Sequence, residues 1–327
     1  MSQPHSVLTD PVLGGLHAAM TASDSSVPIY RASLSVMGTR AHITTVGGSS
    51  DLPETISHLL VDLDRVWSRF RSGSDISQLN NASGQSLEVT PETLRLLDEM
   101  AWGYSRTRGS FDPTLLPSLV REGYSESLVT PGLVTELPAS ASLKGRMMDI
   151  EIDDSRVTLQ RGTTIDSGGV GKGLAADMAV ELAMAEGALG ALVEVGGDLR
   201  VSGVSPRSDS WRLAIENPHD TAERLSIVEL RSEGLATSTI VKRRFRVGER
   251  DTHHIIDPTT LRSAESDTIQ ASVIASSAAR AEMWTKVAFV RGSHELLKLA
   301  RQEGFEAACL LQDGQWVTST GWPESDA

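Results

Sequence analysis

Ile165-Asp166-Ser167-Gly168-Gly169-Val170-Gly171-Lys172-Gly173, running on into Leu174–Glu186 (LAADMAVELAMAE), is the most informative stretch of the chain. It reads as a glycine-rich turn that leaves a strand and opens a helix. Glycines free the backbone at the junction, and the Ala, Leu and Met run beyond it has the composition of a packed helix. Such a junction sets backbone N–H groups and the positive end of a helix dipole against an anion, and Lys172 adds a full charge. Spacing excludes two phosphate motifs. A P-loop needs glycine where Asp166 stands and Ser or Thr where Gly173 stands, and the glycines at 169, 171 and 173 do not make a G-x-G-x-x-G fingerprint. A tight structural turn with a solvated lysine explains the same residues, so this stretch alone names no ligand.

Upstream, Arg31–Val46 alternates like a strand, interrupted at Met37-Gly38-Thr39, and Pro53–Trp67 carries a helical apolar stripe. Thr90-Pro91 opens a second helix, with Thr as cap and Pro in the first turn. Thr107–Leu119 reads as loop, and Tyr124–Lys144, rich in Ser, Pro and Gly, as a surface insertion. Met148–Ile152 and Val157–Leu159 read as strands. Downstream come strand-like Ala191–Val195, Trp211–Ile215, Ile227–Leu230, Ala236–Ser238, Lys242–Val247 and Ile269–Ala275. Helices over Ala278–Phe289 and His294–Glu303 and a strand over Ala307–Leu311 close the series. Strands and helices mix without a regular βαβ beat, which predicts an α+β fold of mixed or antiparallel sheets with packed helices. The expected organisation is a disordered leader at 1–30, one domain over 31–320 and a C-terminal tail at 321–327.

Composition excludes several classes. The chain of 327 residues carries a net charge of −13, which argues against nucleic acid as a partner. A single cysteine, Cys309, excludes an internal disulfide framework and any thiolate metal cluster. No run approaches the roughly 18–20 apolar residues that span a bilayer, and Met1–Pro28 has neither a basic start nor an apolar core. No membrane insertion and a cytoplasmic location are therefore expected.

Three further clusters carry chemistry-bearing residues. In Thr252–Pro258 (THHIIDP) the adjacent histidines point to opposite faces of an extended chain, so at most one of them faces a site with Asp257, and His254 is the candidate. Gly109–Thr114 (GSFDPT) is either a turn that presents amides and a carboxylate or a Pro-stiffened Asx turn. On the late helix, Thr285 and Lys286 lie three and four residues beyond Glu282 and share its face. That spacing suits an oxygen-ligand pair, Glu282 with Thr285, or a surface ion pair, Glu282 with Lys286.

Taken in order, Met37-Gly38-Thr39, Ser68-Arg69-Phe70 with Ser74–Asn80 (SDISQLN), Gly109–Thr114, Ile165–Gly173 with Asp177, Val195–Asp198 (VGGD), Ala236–Ser238 (ATS) and His254–Pro258 (HIIDP) form a series. From about residue 33 to residue 292 it resembles the ApbE family of FAD:protein FMN transferases. The resemblance implies a T-fold-like α+β domain that binds FAD with Mg²⁺, cleaves its pyrophosphate and moves FMN onto a Thr or Ser hydroxyl of an acceptor flavoprotein, releasing AMP. It implies that Met37, Phe70, Ser110, Phe111, Asp112, Asp166, Lys172 and His254 line the FAD site. Gly169, through its carbonyl, and Glu282 would hold the metal, with Thr285 as a further oxygen. His254 or Asp257 would accept the proton of the attacking hydroxyl. The chain departs from the family pattern at Glu282, where Asp is usual, at Lys286, where Thr is usual, and at Thr239 and Leu261, where Gly is usual. A non-catalytic FAD-binding protein and an FAD pyrophosphatase yielding FMN and AMP are the alternatives.

Overall fold

An antiparallel sheet of eight strands runs through the molecule in chain order: β1 Ile29–Val36, β2 Thr39–Gly47, β3 Ala188–Val195, β4 Asp198–Gly203, β5 Gly234–Thr239, β6 Thr268–Ala275, β7 Glu306–Leu311 and β8 Trp316–Thr318. The computed structural model describes residues 27–127, 130 and 132–324. Around the sheet lie α1 Leu52–Trp67, α2 Asp75–Asn81, α3 Pro91–Arg106, α4 Leu116–Arg121, α5 Gly171–Ala185, α6 Ala278–Arg291 and α7 Ser293–Glu303.

Both sheet faces are buried, and the two-residue period of a strand divides the core between them. Ala41, Ile43, Ala191, Val193 and Val195 pack with residues of α1, α3 and α5. Ala271, Val273, Ala307 and Cys309 pack against α6 and α7. The intervening positions Leu192, Leu235, Ile274 and Ala308 point the other way, under a hairpin of Trp211–Glu216 and Arg224–Leu230.

The N-termini of α5 and α6 cap one another. Asp177 on α5 accepts from the N–H groups of Ala278 (2.8 Å) and Ala279 (2.9 Å). Glu282 on α6 accepts from the N–H of Gly173 (2.9 Å). Each carboxylate satisfies helix-terminal donors that have no partner in their own helix, and sits at the positive end of a dipole. The approach requires Gly173, because a Cβ there would lie 2.4 Å from the Ala278 carbonyl oxygen.

The structure departs from the sequence expectations at several places. α5 begins at Gly171 rather than Leu174, drawing Lys172 and Gly173 into its first turn. α4 overlaps the end of the stretch read as loop, started by Pro117 in its first turn. Where a strand over Met148–Ile152 was expected, a 3₁₀ turn at Met147–Asp149 precedes a short strand, Glu151–Asp153. β1 starts at Ile29, inside the expected leader, the rest of which, residues 1–26, lies outside the described residues. Trp322, assigned to the tail, is buried and donates through Nε1 to Ser226.

Candidate active site

A cavity of about 650 Å³ lies where the β1–β2 turn, the segment after α1, the 110–112 turn, the glycine turn and the N-terminal part of α6 converge. Its size is that of a small-molecule cleft. Met37, Phe70, Ser110, Phe111, Asp112, Asp166, Gly169, Lys172, His254 and Glu282 all line it. Asp257 and Thr285 do not. The Asp257 carboxylate accepts from the N–H of Thr259 (2.7 Å), closing a turn. Thr285 is fully buried beneath the wall and hydrogen-bonds Ser238 (2.7 Å) and the Glu282 carbonyl (2.7 Å).

Local structure explains how the outer residues are held. Met37 and Gly38 have φ of +52° and +68° and form the two-residue turn between β1 and β2, the left-handed geometry that such hairpins need. The N–H of Met37 donates to Asp64 (3.1 Å). Met37 is a non-glycine residue in that region, so backbone strain is stored at the cleft wall. Phe70 is stacked on Arg69, whose guanidinium lies 4.6 Å from the Phe70 ring centre and 4.4 Å from that of Tyr124. Arg69 also donates to Asp166 (2.9 Å) and to the Tyr124 carbonyl (3.1 Å). In the sequence Arg69 is one residue of a motif with no chemistry of its own, yet it orders this wall. Tyr124, Ser127, Thr130 and Leu133 line the cleft as well. The stretch read as a surface insertion is therefore part of the site.

Among the described residues, three polar atoms in the cleft are buried without a hydrogen-bond partner: Ser110 Oγ, Asp112 Oδ2 and His254 Nδ1. Asp112 Oδ1 is engaged by the N–H (2.9 Å) and hydroxyl (2.6 Å) of Thr114, and Oδ2 has only the ammonium of Lys144 at 3.5 Å. Buried polar atoms left unpaired carry a desolvation cost that a ligand relieves. His253 points away from the cleft and pairs with the Ala264 carbonyl (2.9 Å). Burial, reinforced by Arg243 and Lys286, holds His254 well below the ordinary imidazole range, so its ring is neutral at pH 7.

At the cleft floor Lys172 is committed to partners in the protein. Its ammonium donates to Asp198 and to Glu282 (2.8 Å). Burial opposes its charge, but the two carboxylates outweigh burial and raise its pKa. Burial and the proximity of Glu282 push Asp198 up to about 6. Burial would raise Glu282 too, but Lys172 and Lys286 outweigh it and hold it low. Lys172, expected as the free counter-charge of a diphosphate, is instead the centre of a buried ion triad whose formal charge is −1.

Lys286 is the other cation. Its ammonium donates to the Glu282 carbonyl (3.0 Å), Ser238 Oγ (3.1 Å) and Thr285 Oγ1 (3.1 Å), one acceptor for each of its three hydrogens. Among the described residues it has no carboxylate within ion-pair distance, so the surface pair with Glu282 is not formed. Burial lowers Lys286 to about 8, against the pull of Glu282 and Asp198. Its Cε lies 3.2 Å from where a Gly169 Cβ would stand, and Gly169 itself has φ +97°.

These contacts decide whether the residues implied for Mg²⁺ suit that ion. Both Glu282 oxygens are engaged, one by Lys172 and one by Gly173. Thr285 Oγ1 and the Glu282 carbonyl are occupied by the Lys286 ammonium, whose Cε lies beside Gly169. Like unit charges about 4 Å apart at an effective dielectric near 20 repel by about 4 kcal/mol, and a divalent ion doubles that. The donor set does not fit a magnesium ion while Lys286 is protonated.

The ApbE family model matches residues 37–310. The chain belongs to the ApbE family. It is 26% identical over 297 residues to a Salmonella typhimurium protein named FAD:protein FMN transferase, spanning 85% of this chain and 83% of that one. An Escherichia coli K12 protein of the same name is 27% identical over 276 residues, 81% of this chain and 78% of that one. The ApbE fold is shared with the ApbE protein of Thermotoga maritima, at TM-score 0.79 and 24% identity over 91% of this chain and all of that one. The flavinyl transferase ApbE of Pseudomonas stutzeri superposes at TM-score 0.77 and 24% identity, covering 93% of this chain and all of that one. ApbE membership accounts for the α+β fold expected from the sequence. No helix among the described residues is long and apolar enough to cross a membrane.

Proposed function

We propose that this ApbE-family chain transfers FMN from FAD to a Ser or Thr hydroxyl of an acceptor flavoprotein and releases AMP, in the cytoplasm. The observation that carries this reading is the set of three buried polar atoms without a hydrogen-bond partner among the described residues, on Ser110, Asp112 and His254, around one cleft. All three belong to residues that the family pattern assigns to FAD.

In the proposed reaction the acceptor oxygen attacks the phosphorus of the FMN half. A new P–O bond forms as the bond to the bridging oxygen breaks, and AMP leaves with the electron pair. The hydroxyl proton passes to the neutral imidazole of His254 rather than to Asp257, whose carboxylate closes a turn outside the cleft. Arg69, stacked between Phe70 and Tyr124 and paired with Asp166, fixes the wall against which an extended dinucleotide would lie. Catalysis of this kind rests mainly on positioning and on compensating the charge of about two on the diphosphate. The magnesium ion implied by the resemblance is not carried into this scheme, because its donor set is occupied by Lys286.

The test incubates the protein with FAD, with and without an acceptor domain bearing a Ser/Thr flavinylation motif. The expected result is a covalently fluorescent acceptor and one AMP per flavin transferred. AMP and free FMN without acceptor would assign the chain as an FAD pyrophosphatase, and intact bound FAD in both tubes as a non-catalytic binder.

A further inference from the structure

We infer that Lys286 is a built-in cation standing where a metal ion would sit, so that this chain binds the FAD diphosphate without a divalent metal. The inference rests on the reading above for its ligand and on the side-chain geometry for its cation.

The ammonium occupies a cage of three neutral oxygens, Glu282 O, Ser238 Oγ and Thr285 Oγ1, all between 3.0 and 3.1 Å away. An oxygen shell around a fixed cation is what a hard metal ion would use; here a side chain fills it. The shell comes from two elements, α6 and the end of β5, and Ser238 and Thr285 also bond each other (2.7 Å), so the cage is preformed. Lys286 and Ser238 both line the cleft, which leaves the charge adjacent to ligand space. Lys172 is less free for this role, because Asp198 and Glu282 take two of its three hydrogens and more than offset its charge. The triad around Lys172 carries a formal −1, and Lys286 brings the four groups to neutrality. A divalent ion in place of Lys286 would instead leave +1. The floor met by the diphosphate is therefore one charge less positive than a metal-loaded floor, and its cation is tethered to the chain.

The phosphoryl transfer stays balanced on this view. Lys286 donates hydrogen bonds to non-bridging oxygens of the diphosphate, exchanging them for one or more of its cage contacts. It neither gives up its proton nor forms a bond to phosphorus, and no co-reactant beyond FAD and the acceptor hydroxyl is needed.

Two measurements on the full-length chain test this. Mn²⁺ binding is followed by electron paramagnetic resonance for the wild type, Lys286→Thr and Lys286→Met. FAD affinity is measured by equilibrium dialysis with chelator and with excess Mg²⁺. The wild type is expected to show no saturable Mn²⁺ site and the same FAD affinity in both buffers. Lys286→Thr should gain one Mn²⁺ site and should need Mg²⁺ to recover about tenfold of lost FAD affinity. Lys286→Met, which removes the charge without supplying an oxygen, should lose affinity with no rescue by metal. A stoichiometric Mn²⁺ site in the wild type, or an FAD affinity that rises about tenfold with Mg²⁺, would overturn the inference. Failure of FAD to bind in any buffer would instead refute the reading of the cleft as an FAD site. The Mn²⁺ titration of wild type against Lys286→Thr would then still decide the identity of the cation.

Discussion

Replacing Lys172 by methionine separates two roles that the glycine turn leaves open. If the lysine were a free counter-charge for a bound diphosphate, its loss would weaken FAD binding and leave the fold alone. The structure points the other way, because the Asp198 and Glu282 side chains it joins are each only 2% exposed. Methionine keeps the stem and removes the charge, leaving two carboxylates facing one another in the interior. Removing one partner of a buried ion pair costs about 3–5 kcal/mol, a large share of the roughly 5–15 kcal/mol that stabilises a typical domain. The deficit should also depend on pH. Asp198 already stands at about 6 with the lysine present, and loss of the cation raises it further. The native variant then takes up a proton at a pH where the unfolded chain, with a carboxylate near 3.8, has not. Stability relative to wild type therefore recovers as pH falls from neutral toward 6, below which the wild type takes up the same proton. Urea unfolding followed by tryptophan fluorescence at pH 7.5 and pH 5.5, with FAD affinity measured on the same samples, gives both quantities. A variant within about 0.5 kcal/mol of wild type at both pH values would refute the buried-triad assignment, most directly if it had also lost FAD affinity.

Other substitutions address neighbouring parts of the site. Gly173→Ala places a Cβ 2.4–2.6 Å from backbone atoms of Ala278 and Ala279, so α5 and α6 must separate; a loss of about 1–3 kcal/mol in urea unfolding is expected, and an unchanged midpoint would contradict the close approach. His254→Gln tests the buried imidazole by linkage. The native ring stays neutral below 6.5 while the unfolded one protonates, so wild-type stability falls relative to the variant by up to about 1.4 kcal/mol per pH unit below 6.5; parallel stability curves would show that the ring protonates normally. Arg69→Met removes the ion pair to Asp166 and leaves that carboxylate facing the cleft alone. FAD affinity should fall by about tenfold or more, and equal affinities in a dialysis titration would place the diphosphate away from this wall.

Much of the fold was legible because its signals are local. The Thr90-Pro91 start of α3 is written in cap chemistry, and the Thr90 hydroxyl does accept from the N–H of Thr93. The central strands, β3 and β6, are buried at nearly every position because helices cover one face and a hairpin the other. Periodicity misplaced α4, whose six residues offer less than two turns of pattern. The site was readable as a set of residues and not as a set of contacts. Ten of the residues expected around FAD and metal do line one cavity, but sequence spacing could not show that Asp198, 26 positions beyond Lys172, would claim that lysine. Nor could it show that Tyr124 folds back over Arg69, 55 positions away. Such pairings are set by tertiary packing, and no local rule encodes them.

The departures at 282 and 286 make physical sense together. Glutamate at 282 has the reach to serve the N-terminus of α5 through Gly173 and the ammonium of Lys172 at once, so its carboxylate works in the scaffold. One turn later on the same face, position 286 points at Gly169 and Ser238, the direction in which a bound anion would need positive charge. The scaffold duty of Glu282 leaves its backbone carbonyl, and not its carboxylate, to hold Lys286. Because that acceptor is neutral, the charge of Lys286 is not consumed in a direct ion pair. A cation that is fully hydrogen-bonded yet, among the described residues, in no ion pair, at the edge of a cleft that also holds three polar atoms without a hydrogen-bond partner, is placed to stabilise an anion as soon as one arrives.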